Sequence, residues 1–277
     1  MYYLQRCFYL SIGFPVFLCS TDERFIMLQR LIGTKLSHFP ELDSTNDYAA
    51  ILLAKSKPIE GTVVITDNQV SGKGQYGRKW SSAPGQNLTL SVILYPNIPA
   101  ETLFDLNILA SLAVCTAIKE QTSINPLVKW PNDIYVTDRK ICGILIKNNL
   151  VGKIISQSII GIGINVNQQQ FDPSIPNPTS MANETGAVIE LLELREELFK
   201  AMDQFYDIMK KDPVELRQLY SKTLWRRYEE IKYSLEDGEI RNGVLEGIER
   251  DGRLIICLLY TSPSPRDRTR SRMPSSA

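Results

Sequence analysis

Histidine is nearly absent from this 277-residue chain. His38 is the only one, so a histidine metal cluster, a His pair or a Ser-His-Asp triad has little to draw on. Close cysteine pairs are missing too. The five cysteines, Cys7, Cys19, Cys115, Cys142 and Cys257, are odd in number and far apart, which argues against structural zinc and reads as buried free thiols in a reducing compartment. Excess charge is also lacking: 31 Lys plus Arg balance 31 Asp plus Glu, so the whole-protein field would not hold a polyanion strongly. Nucleic acid is therefore not the expected partner. The apolar run Cys7 to Leu18, interrupted by Pro15, is too short to cross a membrane.

What is present suits a globular protein. Hydrophobic residues make up 43% of the chain, enough for one substantial core and a small satellite domain. The two ends differ from the middle. Residues 1–26 lack a small-residue cleavage site, and Met27 stands just before a segment that reads as native domain, which favours upstream translated sequence over an export signal. Thr261 to Ala277 packs three prolines, four arginines and five serines without apolar periodicity, so it should not fold. With Cys257 to Tyr260 it reads as non-native sequence fused to an interrupted reading frame, the alternative being a genuine basic tail. The expected division is an extension over 1–34, a main domain over 35–228, a partial small β domain over 229–256 and a disordered tail over 257–277.

Between the ends the pattern is α+β. Ser44 or Thr45 can cap a helix from about Asn46 to Lys55. Thr62 to Thr66 and Leu88 to Leu94 are β-branched or apolar runs bounded by turn residues, and Glu101 to Glu120 should be a largely buried helix. Further strands are expected at Leu127 to Trp130, Asp133 to Val136, Ile141 to Ile146 and Ile154 to Val166, with turns at Thr137 to Arg139 and Asn148 to Gly152. Successive hairpins imply a mixed or antiparallel sheet. Val188 to Lys210 and Pro213 to Arg227 are amphipathic helical patterns, and Arg250-Asp251-Gly252 predicts a primed hairpin turn in the small β domain.

Three blocks carry candidate chemistry. In GKGQYGRKW, Gly72, Gly74 and Gly77 alternate with Lys73, Gln75, Arg78 and Lys79, so backbone can approach an anion while cationic side chains reach around it. A solvated glycine-rich loop would have the same composition. The loop is neither a P-loop nor a dinucleotide fingerprint, because Trp80-Ser81-Ser82-Ala83-Pro84 follows where a helix would be needed. In KWPNDIYVTDRKICGIL, Lys129 and Lys140 flank Asn132 and Asp133. The amide and carboxylate could hold Mg²⁺ with phosphate-bound waters, and Lys140 could face charge on a reacting carboxylate and phosphate. A surface hairpin held by Asp138, Arg139 and Lys140 is the alternative. Gly161 to Val166 would let a strand edge come close to a ligand, ending in the polar Asn165, although alone it is only a tight strand.

Together, from about Leu42 through Asn167, these blocks resemble the biotin-protein ligase family, in a form without an N-terminal DNA-binding domain. The resemblance implies a class II synthetase-like catalytic domain, a mixed β-sheet packed with helices, followed by a truncated SH3-like β domain. It implies ATP-dependent formation of biotinyl-5′-AMP, with Mg²⁺, and transfer of biotin to a lysine of a biotin carboxyl carrier protein in the cytoplasm. It leaves a homodimer open and implies neither DNA nor membrane binding. By family position, Ser44, Thr45, Asn46, Gln69, Gly72, Lys73, Gly74, Gln75, Lys140 and Gly143 would bind biotin. Arg78, Lys79, Trp80, Asn132 and Asn165 would bind the nucleotide or adenylate. Lys140, Arg78 and Asp133 would be catalytic, with Asp133 the candidate Mg²⁺ ligand.

The loop departs from the family in having Lys73, Gln75 and Tyr76 where arginines often stand. Lysine lacks the bidentate fork and the other two lack charge, which predicts looser retention of the adenylate. Two rivals remain. A lipoyl or octanoyl ligase would share the architecture but not the GKGQYGRKW and KWPND pairing; a nucleic-acid-binding regulator would need a basic field and reader domain that the sequence does not supply.

Overall fold

The computed structural model describes residues 30–234 and 238–258. The readings made for residues 1–29 and 259–277 therefore lie outside the described residues. In chain order the elements are β1 (Leu36–Leu42), α1 (Thr45–Lys55), β2 (Val63–Gln69), β3 (Gly72–Lys73), β4 (Lys79–Trp80), β5 (Leu88–Leu94) and β6 (Ile98–Pro99). There follow α2 (Phe104–Gln121), β7 (Leu127–Lys129), β8 (Asp133–Val136), β9 (Arg139–Val151), β10 (Ile154–Ile164), α3 (Met181–Thr185), α4 (Leu191–Lys211) and α5 (Pro213–Thr223). The last strands are β11 (Glu230–Ser234), β12 (Ile240–Ile248) and β13 (Leu254–Leu258).

The main sheet runs β1-β2-β5-β10-β9-β8-β7, with β6 added beside β10. Only β1 and β2 pair in parallel; the remaining pairs along this path are antiparallel, so the sheet is mixed as expected. Strand alternation sends the even-numbered Leu88, Leu90, Val92 and Leu94 of β5 and Ile160, Ile162 and Ile164 of β10 into one large core. That core is closed by α2, α4 and α5. Fully burying one such side chain stabilises the fold by roughly 1.5–3 kcal/mol. Helix α2 is buried nearly all round. Its length and hydropathy would suit a membrane span, but its burial makes it the core helix.

Helix ends follow local chemistry. Ser44 caps α1, its Oγ accepting from the Asp47 amide, and Asp212 caps α5 by accepting from the amides of Val214 and Glu215, with Pro213 in the tolerated first turn. The Asp105 carboxylate on α2 receives Nε and Nη2 of Arg217 at 2.9 and 2.6 Å, locking α5 to α2 through a partly buried bidentate pair.

Several expectations need correction. Ile32 is fully buried, and the amides of Leu31 and Ile32 donate to Asp203, so residues 30–34 belong to the main domain rather than to an extension. Cys257 and Leu258 pair with Val244 and Gly243 in β13, so the ordered β region runs past 256. Cys257 is also exposed, unlike the buried Cys115 and Cys142. The expected turn at Asn148 to Gly152 shrinks, because Asn148 and Asn149 pair with Ser158 and Gln157 and the chain reverses only at Gly152. Polar residues on an exposed strand had imitated a turn. The β12–β13 connection is no two-residue primed turn either. The Glu249 amide donates to the Arg253 carbonyl, and Gly252 takes the left-handed conformation at φ +90°.

Strands β11, β12 and β13 form a separate three-stranded antiparallel sheet, which matches the expected small β domain. Its turn docks on the main domain. A Cβ on Gly252 would lie 2.2 Å from the Phe104 ring, and Trp130 Nε1 donates to the Gly252 carbonyl at 2.8 Å.

Candidate active site

The other face of the main sheet carries the odd-numbered residues of β5, β9 and β10 and the even-numbered ones of β2; Val64, Ile93 and Ile159 form a small apolar cluster under α1, and beside it the face is mostly small or polar. Register places Thr66, Thr89, Gly163, Gly143 and Asp133 in one row across β2, β5, β10, β9 and β8. A second row holds Val64, Ser91, Gly161 and Leu145. Without side chains at the three glycines, the sheet surface forms a shallow floor.

Two side chains from outside the sheet lie against this floor. The Trp80 indole lies over Gly163 and Gly143, where a Cβ would come within 2.5 and 3.0 Å of it. Asn46 lies over Gly161, where a Cβ would meet its amide at 2.5 Å. The expectation that Gly161 to Val166 forms an edge approached by ligand is thus corrected. Strand β10 is interior, and the space its glycines leave is taken by the protein's own Asn46 and Trp80.

The first turn of α1 is wired to the sheet. Asn46 Nδ2 donates to the Leu145 carbonyl at 3.0 Å, so its Oδ1 faces Ser91 and accepts from that hydroxyl at 2.7 Å. Ser91 can then accept from Thr45 Oγ1, also at 2.7 Å. Gln69 Oε1 accepts from the Thr45 amide at 2.9 Å. Ser44, Thr45, Asn46 and Gln69, expected at one site, are indeed brought together. Ser91 was missed: a lone serine in an apolar strand carries no signal until its register opposite Gly161 is known.

Opposite this network, Lys140 Nζ lies 2.6 Å from Asp133 Oδ1 and 5.9 Å from the centre of the Trp80 ring. Its stem passes 3.5 Å from where a Gly143 Cβ would be. Lys140, Asp133, Trp80 and Gly143 therefore form a second cluster at the same floor. Trp80 Nε1 is buried and has no partner. So is Asn165 Oδ1, although Asn165 Nδ2 donates to the Thr179 carbonyl. Unsatisfied buried donors and acceptors are costly, and here they mark positions a polar ligand could satisfy.

Over the floor, β3 and β4 form a two-stranded ribbon joined by residues 74–78, with the Gly74 amide donating to the Arg78 carbonyl. Gly72 is required by close packing, since a Cβ there would meet the Trp80 carbonyl at 2.4 Å, and Gly77 by its φ of +75°. Arg78 and Lys79 are exposed and make no ion pair among the described residues. Lys73 instead pairs with Asp47. Gln75 is half-buried, in the short 3-10 turn Gln75–Gly77.

Two motif residues also make structural contacts. Asn132 Nδ2 donates to the Ile144 carbonyl at 2.7 Å, tying the turn before β8 to β9. Lys129 donates to the Tyr135 hydroxyl and lies over the Tyr135 and Trp225 rings, so its charge is spent there. Cys142, two residues from Lys140, is no nucleophile, since burial pushes its thiol well above the ordinary range.

The donor set does not make a protein-only Mg²⁺ site. Asp133 already holds an ammonium on one oxygen, and among the described residues no group of three His, Cys, Asp or Glu side chains could hold a metal. A divalent ion at Asp133 would have to share the carboxylate with Lys140.

The fold and this floor point to a class: the chain matches the model of the biotin/lipoate A/B protein ligase family over residues 38–165. Within that family it is similar to biotin protein ligases. It is 37% identical to the bifunctional ligase/repressor BirA of Bacillus subtilis over 61% of this chain and 52% of that protein. It is 28% identical to the biotin--[acetyl-CoA-carboxylase] ligase of Paracoccus denitrificans over 77% of this chain and 90% of that protein. A solved biotin protein ligase from Aquifex aeolicus, in complex with biotin and ATP, superimposes with a TM-score of 0.68 at 29% identity, covering 80% of this chain and 91% of that one. The chain spans about half the length of the Bacillus relatives it matches.

Proposed function

We propose that this chain is an ATP-dependent biotin-protein ligase that forms biotinyl-5′-AMP and transfers biotin to a lysine of a biotin carboxyl carrier protein in the cytoplasm. The observation that carries the proposal is the meeting of Lys140, Asp133 and Trp80 over the Gly143–Gly163 floor, facing the Thr45–Asn46–Ser91 network.

In this reading biotin lies along the floor between the two clusters, with Ser44, Thr45, Asn46 and Gln69 at its ring end and Lys140 at its carboxylate. The carboxylate oxygen attacks the α-phosphorus of ATP, the bond to the β-phosphate oxygen breaks, and pyrophosphate leaves. Lys140 stabilises charge on the carboxylate and on the phosphoryl oxygens, in a place where Asp133 fixes its ammonium. Such fixed positioning avoids reorganisation at the moment of reaction. Trp80 would cover the activated acyl group and offer its unpaired N–H, while Arg78 and Lys79, which make no ion pair among the described residues, would fold onto the phosphates. Asn132 and Asn165 would frame the nucleotide. Mg²⁺ would arrive with the triphosphate as part of the substrate and neutralise phosphate charge, and Asp133 would be the residue to hold it.

In the second step the neutral amine of the carrier lysine attacks the acyl carbon, AMP leaves, and the attacking nitrogen loses its proton. Loop closure over the site would keep water from the mixed anhydride. The Bacillus relative is a bifunctional ligase/repressor, and the balanced net charge of this chain supports the ligase reading over a nucleic-acid-binding one.

The test is to incubate the full-length chain with ATP, Mg²⁺, biotin and a biotin-carrier domain. The expected product is one biotinyl mass increment on one acceptor lysine, with biotin-dependent pyrophosphate exchange. Exchange supported by lipoate and not by biotin would overturn the reading.

A further inference from the structure

Lys73, assigned above to the biotin side of the loop, is not free. Its Nζ lies 2.6 Å from Asp47 Oδ2, while Lys147 Nζ lies 2.7 Å from Asp47 Oδ1. Three separate elements thus meet on one carboxylate: the β3 end of the glycine loop, the first turn of α1, and β9. Residue 147 lies on the same β9 face as Gly143 and Leu145. The two lysines hold the Asp47 carboxyl below its ordinary value, Lys147 contributing most. The proposed reaction uses neither Asp47 nor Lys147.

We propose that Asp47 is a positioning residue which, bridged to Lys147, keeps Lys73 and the loop seated over the floor before biotin binds. The inference rests on the reading of Lys73 as a biotin-facing residue. An acid in a first helical turn is favourable for the helix alone, so the arrangement needs a test that a purely local role would not satisfy.

The electrostatics supply one. Each pair is partly exposed and weak by itself, but removing only the carboxylate leaves two ammonium groups on facing elements to repel each other. Removing Lys147 as well relieves that repulsion. A second loss should therefore repair part of the first.

Two readouts on the full-length chain decide the matter: hydrogen exchange of residues 72–80 in the ligand-free protein, and KM for biotin in pyrophosphate exchange. Asp47→Asn should speed loop exchange and raise KM about tenfold each, with kcat held within about twofold. Adding Lys147→Met to it should return both quantities at least halfway to wild type, and Asp47→Glu should stay near wild type. High salt should raise the wild-type KM and leave that of the double variant unchanged. The proposal is overturned if the double variant is no better than Asp47→Asn, if kcat falls by as much as KM rises, or if loop exchange does not respond. Loop exchange needs no catalysis. The expected exchange pattern in a chain that does not activate biotin would sink the functional reading and leave Asp47 as the seat of the loop.

Discussion

The two faces of the main sheet are made by alternate residues of the same strands, yet they obey different rules. On the α2 face, β10 presents Ile160, Ile162 and Ile164, all essentially buried, and the partner is a wide helical layer. On the α1 face the same strand presents Gly161 and Gly163, and each partner is one side chain delivered from elsewhere. The first face tolerates exchange of one apolar residue for another of similar volume at modest cost. The second does not at Gly161 and Gly163, because the space a side chain would need there is already filled by Asn46 and Trp80. In the proposed reading, core packing and site chemistry are a single residue step apart at Ile162 and Gly163.

That separation can be broken or sharpened by substitution. The largest effect is expected at Lys140→Ala, which should lower biotin-dependent pyrophosphate exchange by about a thousandfold, since an ammonium aimed at developing charge is lost. The thermal unfolding midpoint should fall by much less than in a core cavity variant, since what is lost is the partly buried pair with Asp133 and the stem's contact at Gly143. Wild-type exchange in this variant would remove Lys140 from the mechanism.

Next come two neighbours on opposite faces. Gly163→Val would drive a side chain into the Trp80 indole, so turnover should fall by about a hundredfold while overpacking costs about 1–3 kcal/mol. Ile162→Ala should show the reverse. A cavity in the core should cost about 2–5 kcal/mol, with the folded fraction retaining its turnover. Denaturant titrations beside initial rates would show whether the two faces are separable; equal losses of turnover in both variants would show that they are not.

The smallest effect is expected at Trp130→Phe. It removes the hydrogen bond to the Gly252 carbonyl, worth about 1 kcal/mol, and should loosen the three-stranded sheet from the main domain. Faster amide exchange confined to residues 240–258 is the expected signature. Unchanged exchange there would mean that the Phe104–Gly252 packing alone holds the small sheet.

Legibility followed the range of the interaction. Helix α1 and its Ser44 cap, the buried α2 and the proline-opened α5 were visible because capping and periodicity act within a few residues. The turn at Asn148 to Gly152 was misplaced because asparagines on a solvated strand carry the same local signature as a turn. At the site, the glycines of the third block were noticed as small but assigned to a ligand. Trp80, more than eighty residues away in the chain, is what occupies the space over Gly163. Ser91, Asp47 and Lys147 were invisible for the same reason: each acquires its role from a partner on another element.

The sequence by itself determined the alternation of apolar and small residues along β5, β9 and β10, the capped helices, and the presence of a glycine-rich basic loop and a lysine–carboxylate hairpin. Only the tertiary structure decided that Gly143, Gly161 and Gly163 share one floor, that Lys140 leans on Asp133 while Lys129 does not, and that Lys73 is held by Asp47. Those outcomes depend on strand register between segments distant in the chain. A residue's own chemistry states what it can bond to, but pairing across the sheet decides what stands within reach.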